Sequence, residues 1–137
     1  MTTRNDPMSS RTIVLIVEDD PETRRLYSDV LEREGFLADQ AHNGFQALEK
    51  IRKHPPALVL LDIALPGMDG IELCRELRRD ARTRDIPVLG ITGYGDRHYP
   101  DRVRLAGADH VLTKPCDPEV LVAEVRRLMT ETRRLAG

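Results

Sequence analysis

Cysteine is scarce in this 137-residue chain. Cys74 and Cys116 fit neither a metal-ligand spacing nor a CxxC motif, which excludes a cysteine-held metal and a dithiol redox centre. Cys74 lies in an amphipathic stretch and reads as a small core residue; both thiols are expected to be free, as in a reducing compartment. Long apolar runs are missing, since none approaches the roughly 18 residues of a membrane span. The opening stretch, MTTRNDPMSSR, has no apolar signal core, so nothing points to export and the cytoplasm is the expected compartment. An excess of one charge is missing too. Lys+Arg number 21 against 23 Asp+Glu, a net charge of −2, without the imbalance that favours nucleic acid or an anionic membrane. His42, His54, His98 and His110 are scattered with no ligand partner at helix or strand spacing, and read as surface or loop residues.

What is present is the composition of one soluble globular domain: 32% charged and 40% hydrophobic residues, in a chain long enough to bury a single core without staples. Residues 1–10 read as a disordered lead, 11–132 as the domain and 133–137 as a tail. The Arg78-Arg79 and Arg126-Arg127 pairs read as solvated helix faces.

Short apolar runs alternate with helix-period segments. TIVLIV (12–17) is continuous and β-branched, as a strand buried on both faces should be. Asp20-Pro21 gives an N-cap and a proline at the first helical position, so a helix is predicted over 21–34, stopping at Gly35. FLADQA (36–41) is a weaker strand. Asn43 caps a second helix with Phe45, Leu48 and Ile51 on its inner face, ended by Pro55-Pro56. ALVLL (57–61) is the third strand, and PGMDG a loop in which Gly67 and Gly70 meet backbone needs. Asp69 with Glu72 then starts a helix carrying Ile71, Cys74 and Leu77. PVLGIT (87–92) and HVLT (110–113) are the last strands; a helix ends near Ala106-Gly107, and Asp117-Pro118 opens the final helix, with Leu121, Val125 and Leu128 facing in. This alternation implies an α/β fold, a (βα)5 doubly wound parallel five-stranded sheet with helices on both faces. Right-handed crossovers favour the flavodoxin-like strand order 2-1-3-4-5.

In such sheets ligands bind beyond the carboxyl ends of the strands. Glu18, Asp19 and Asp20 follow the first strand, Asp62 the third, Thr92 ends the fourth and Lys114 follows the fifth. Two carboxylates about 5 Å apart repel by roughly 3 kcal/mol at an effective dielectric near 20, so this cluster needs a cation. Hard oxygen ligands suit Mg2+, which takes one or two carboxylates together with a phosphate oxygen. Lys114 adds a positive charge for a phosphoryl group, Thr92 a hydroxyl donor, and a carboxylate can itself be the nucleophile.

With IVLIVEDDP, LVLLDIALPGMDG, GITGYG and AGADHVLTKP in order, the chain resembles a response-regulator receiver domain of the stand-alone, chemotaxis-regulator kind, over about residues 11–132. The resemblance implies a phosphoacceptor in a two-component phosphorelay. Asp62 takes a phosphoryl group from a sensor histidine kinase or phosphotransfer protein, and the change switches binding of a target protein. Glu18 and Asp19 form the acidic pair, with Asp19 a direct Mg2+ ligand; Asp62 and the backbone carbonyl of Ala64 complete the metal site; Thr92 and Lys114 bind phosphoryl oxygens. Asp20 caps the first helix instead. The Lys114–Pro115 peptide is expected to be cis. Direct nucleic-acid binding and membrane insertion are not implied, because a DNA-binding output needs a further domain. The protein is expected to act as a signalling module rather than an enzyme, and a haloacid-dehalogenase-type phosphohydrolase is disfavoured because Ala64 stands where that chemistry needs a second Asp.

Several positions depart from the pattern. Val111 occupies the switch place, where Tyr or Phe is usual, and Cys116 follows Lys-Pro where Phe is common. The missing aromatic at Val111 favours an alternative, a phosphorylation-independent interaction module on the same fold. Ala64 and Tyr94 offer no group to orient an attacking water, which implies slow self-dephosphorylation. Pro100 is predicted to start a short helix reaching Ala106, leaving residues 93–99 as a long loop whose ordering would carry the signal in place of an aromatic switch.

Overall fold

A computed structural model describes residues 13–63, 70–93 and 107–136, with side chains described to residue 131. Its strands are β1 (Ile13–Val17), β2 (Leu37–Ala41), β3 (Leu58–Asp62), β4 (Val88–Thr92) and β5 (His110–Thr113). The helices among the described residues are α1 (Pro21–Arg33), α2 (Gly44–Lys53), α3 (Gly70–Arg79) and α4 (Pro118–Ala136). All strand pairs are parallel, in the order β2-β1-β3-β4-β5, as the alternating pattern requires. The proposed helix from Pro100 lies outside the described residues, as do Ala64, Gly67, Asp69 and Tyr94.

Strand alternation divides the core into two layers. Leu15, Val17, Val59 and Leu61 face one side, packed with Ala47, Ile51, Ile71, Cys74 and Leu77 from α2 and α3. Val14, Ile16, Leu58 and Leu60 face the other, against Val30 and Leu31 of α1 and Leu121, Val125 and Leu128 of α4. β3 and β4 are buried at every position, which is why their sequences read as continuous apolar runs.

The punctuation behaves as its chemistry demands. Asp20 caps α1 through Thr23 N, with Pro21 next. Gly35, at φ +95°, ends that helix: its N–H and that of Phe36 return to the carbonyls of Glu32 and Leu31. Asn43 Oδ1 accepts from Gln46 N to open α2. Gly70 is required by close approach, because a Cβ there would lie 2.8 Å from Ile63 Cα.

Two expectations fail. Phe45 is 61% exposed rather than inward-facing. The buried stripe of α2 is Gly44, Ala47, Leu48 and Ile51, and Phe45 is turned from Gly44 by about 100° around the helix. Arg78 is not on a solvated face. Its Nε and Nη2 donate to Gly107 O at 2.9 and 2.6 Å, and its Nη1 to the carbonyls of Arg84 and Ile86 at 2.8 and 2.7 Å. The segments entering β4 and β5 leave those carbonyls without ladder partners, and a guanidinium satisfies several at once.

Candidate functional site

The sheet delivers the charged residues to one end. Glu18 directly follows β1, and its N–H donates to Ala41 O at 3.0 Å, extending the β1–β2 ladder by one step. Asp62 is the last residue of β3, in register with Ile91, so the third strand includes the aspartate rather than stopping before it. Thr92 closes β4 and is buried. Lys114 follows β5, with its N–H on Thr92 O at 2.9 Å. The Lys114–Pro115 peptide is cis, as expected.

These residues converge. One carboxylate oxygen each from Glu18, Asp19 and Asp62 lie within 4.8 Å of one another. Lys114 Nζ stands 3.3 Å from Glu18 Oε1 and 3.5 Å from Asp62 Oδ2. Glu18 is 1% exposed and Asp62 8%, whereas Asp19 lies open to solvent. Burial, opposed by the Asp20 N–H bond and aided by the Asp62 charge, pushes the Glu18 carboxyl up to about 7. Burial alone would lower Lys114, but the charges of Asp62 and Glu18 outweigh it and raise its pKa. One ammonium thus faces two of three clustered carboxylates, a donor set of hard oxygens able to hold a small divalent cation. Glu18, Asp19 and Asp62 are the residues that could hold it; Ala64, also expected to contribute, lies outside the described residues.

Asp20 stays apart from this cluster. Its Oδ2 accepts from Thr23 N at 3.0 Å and from Thr23 Oγ1 at 2.5 Å, and these bonds hold its carboxyl below the usual range. Val111 is buried on β5 in register with Gly90, so an aliphatic side chain occupies the expected switch place. Sequence reasoning missed Arg24. Its Nη1 donates to the Glu18 carbonyl at 2.8 Å and its Nε to Gln40 Oε1 at 3.0 Å. A basic residue one turn into the helix that follows an acidic triplet was the available signal. Tyr27 was missed too: it is 8% exposed on α1, where burial raises its hydroxyl pKa and the Lys114 and Glu18 charges act on it.

Residues 14–126 match the family model described as "Response regulator receiver domain". The chain is 41% identical over 122 residues to the DNA-binding dual master transcriptional regulator RpaA of Synechocystis, covering 89% of this chain and 51% of that protein. It is 38% identical over 125 residues to the phosphate regulon transcriptional regulatory protein PhoB of Escherichia coli, covering 90% and 54%. The chain therefore spans about half the length of these curated relatives. Among solved structures, it is similar to the signal receiver domain of a signal transduction histidine kinase from Syntrophus aciditrophicus, with a TM-score of 0.84, 35% identity, and 90% of this chain and 93% of that one covered. With the fold, the strand order and the family model in agreement, this chain belongs to the response regulator receiver domains of two-component systems.

Proposed function

We propose that this receiver accepts a phosphoryl group on Asp62 from a sensor histidine kinase or phosphotransfer protein, with Mg2+, and thereby switches its binding to a target protein. The observation carrying this reading is the convergence of Glu18, Asp19, Asp62 and Lys114 at the carboxyl ends of β1, β3 and β5. An Asp62 carboxylate oxygen forms the new O–P bond while the P–N bond of the donor phosphohistidine breaks; the imidazole leaves with that electron pair. Mg2+, held by Asp19, Asp62 and Glu18, with Ala64 supplying a carbonyl, would neutralise charge on the phosphoryl oxygens. Lys114 stands ready to pair with one of those oxygens, and the Thr92 hydroxyl to donate to another.

Glu18 keeps a second carboxylate beside Asp62, and its near-complete burial disfavours it as the nucleophile. No helix among the described residues is long and apolar enough to cross a membrane, and we place the protein in the cytoplasm, where histidine kinases present their phosphohistidine. RpaA is a DNA-binding regulator; for this chain we propose protein partners.

The test is incubation with acetyl phosphate and Mg2+, read by intact mass. The wild type should gain one phosphoryl group, and Asp62→Ala none. No gain in the wild type would favour the second reading, a module that signals without phosphorylation, which the buried Val111 at the switch place supports.

A further inference from the structure

We propose that Arg24 is a positioning residue for divalent-cation binding: held by Gln40, it fixes the Glu18–Asp19 peptide plane and so aims the Asp19 carboxylate at the site. The inference rests on the metal-dependent reading above. The carboxylate cluster is asymmetric. Glu18 and Asp62 are buried, whereas the Asp19 side chain is exposed. The position of that side chain is therefore set by its backbone, in the turn between the end of β1 and the start of α1.

Each polar group of Glu18 in that turn has a partner. Its N–H donates to Ala41 O, its Oε2 accepts from Asp20 N at 3.1 Å, and its Oε1 faces Lys114 Nζ at 3.3 Å. Its carbonyl accepts from Arg24 Nη1 at 2.8 Å. A planar peptide carries the Glu18 carbonyl and the Asp19 N–H on one rigid unit, so the donor that fixes the first orients the second. A charged donor makes this bond stronger than a neutral one.

Arg24 is itself held. Its Nε donates to Gln40 Oε1 at 3.0 Å. Gln40 lies in β2, in register with Ile16 of β1, and Lys50 Nζ of α2 donates to the Gln40 carbonyl at 2.5 Å and to Asp39 Oδ1 at 3.0 Å. The half-buried guanidinium thus spans from the β2 edge to the acidic turn. Lysine donates from a single nitrogen and cannot supply the planar fork by which Nη1 and Nε of Arg24 hold Glu18 O and Gln40 Oε1 together.

The experiment is calorimetric titration of the full chain with Mg2+ alone, on wild type, Arg24→Gln, Arg24→Lys and Gln40→Ala. Loss of groups that orient metal ligands weakens affinity by about 10-fold or more, and this is expected for Arg24→Gln and Arg24→Lys alike. Gln40→Ala, which changes no charge, should weaken binding by a smaller factor. Wild-type affinity in Arg24→Lys would show that charge alone matters and overturn the proposal, as would unchanged affinity in folded Gln40→Ala. Should Arg24→Gln fail to fold, Gln40→Ala and Arg24→Lys carry the test. Absence of Mg2+ binding by the wild type would instead overturn the metal reading, and the positioning role with it.

Discussion

Lys114 Nζ lies 3.5 Å from Asp62 Oδ2, joining the carboxyl ends of β5 and β3 across the intervening β4. The ammonium occupies the same electrostatic well that a divalent cation would use. Its removal and the removal of a carboxylate should therefore have opposite effects on metal binding.

Lys114→Ala is expected to raise Mg2+ affinity several-fold while abolishing acyl phosphate formation from acetyl phosphate. Asp19→Ala should lower Mg2+ affinity by at least about 10-fold, because it removes a charged oxygen ligand from the site. Calorimetry and intact mass read the two effects separately. A fall in affinity for both variants would mean that Lys114 organises the carboxylates rather than competing for them.

Glu18 predicts a pH dependence of the metal-free protein. Its carboxyl is raised from 4.5 to about 7, chiefly by burial. A group with a raised folded-state pKa contributes stability that is complete below its unfolded pKa and is lost as pH rises through the folded one. In EDTA, Tm should therefore fall between about pH 4.5 and 7, by roughly 3–5 °C for each kcal/mol lost. Glu18→Gln, permanently neutral, should remove this slope. A Tm that climbs through the same window in the wild type would contradict the assignment.

The sequence made the strands, the caps and the convergence of Glu18, Asp19, Asp62 and Lys114 legible for one physical reason. Strand ends and helix starts are local signals, and a parallel sheet brings all its carboxyl ends together. Side chains whose roles depend on distant backbone were not legible. Arg78 reads as one of two adjacent helix arginines, yet its acceptors Gly107 O and Ile86 O arrive from segments joined only in the folded sheet. Arg24 likewise needs Gln40 from another element. Phe45 shows the limit of periodicity itself, since an apolar residue one position off a stripe matches the template almost as well as one on it.

The glycines give a graded stability test. At Gly70 a Cβ would meet backbone atoms of Ile63, Cα at 2.8 Å and O at 3.0 Å. Gly70→Ala must shift one chain segment and should cost about 1–3 kcal/mol. At Gly90 the nearest atom is the Ile63 side-chain tip, Cδ1 at 3.3 Å, with Val111 Cγ2 at 3.6 Å. That tip can yield, and alanine restricts the unfolded chain, so Gly90→Ala should fall within about 1 kcal/mol of wild type. Urea unfolding of both variants decides the order; a larger loss at Gly90 would show that the Ile63 side chain is locked.

The Arg78 clamp predicts a coupling between two residues far apart in sequence. Arg78→Ala strips donors from Gly107 O, Arg84 O and Ile86 O and breaks the 3.0 Å pair with Asp109 Oδ2. That same Asp109 oxygen accepts from Val88 N at 2.7 Å, so the clamp also secures the start of β4. Water reaches part of this site, so the loss should be about 2–3 kcal/mol rather than the sum of its bonds. Gly107 has φ +123°, and a Cβ there would lie 2.6 Å from Arg78 Cγ. Gly107→Ala therefore combines backbone strain with a collision against Arg78. With Arg78 already replaced by alanine, only the strain remains. The double variant should then be more stable than the sum of the single losses predicts, by about 0.5–3 kcal/mol. Mg2+ affinity should stay at the wild-type value throughout, because the clamp braces the entries to β4 and β5 while the carboxylates sit at the opposite ends of the strands. Additive losses in urea unfolding would show that Arg78 swings clear of the new methyl group at no cost, and that the contact at Gly107 does not constrain it.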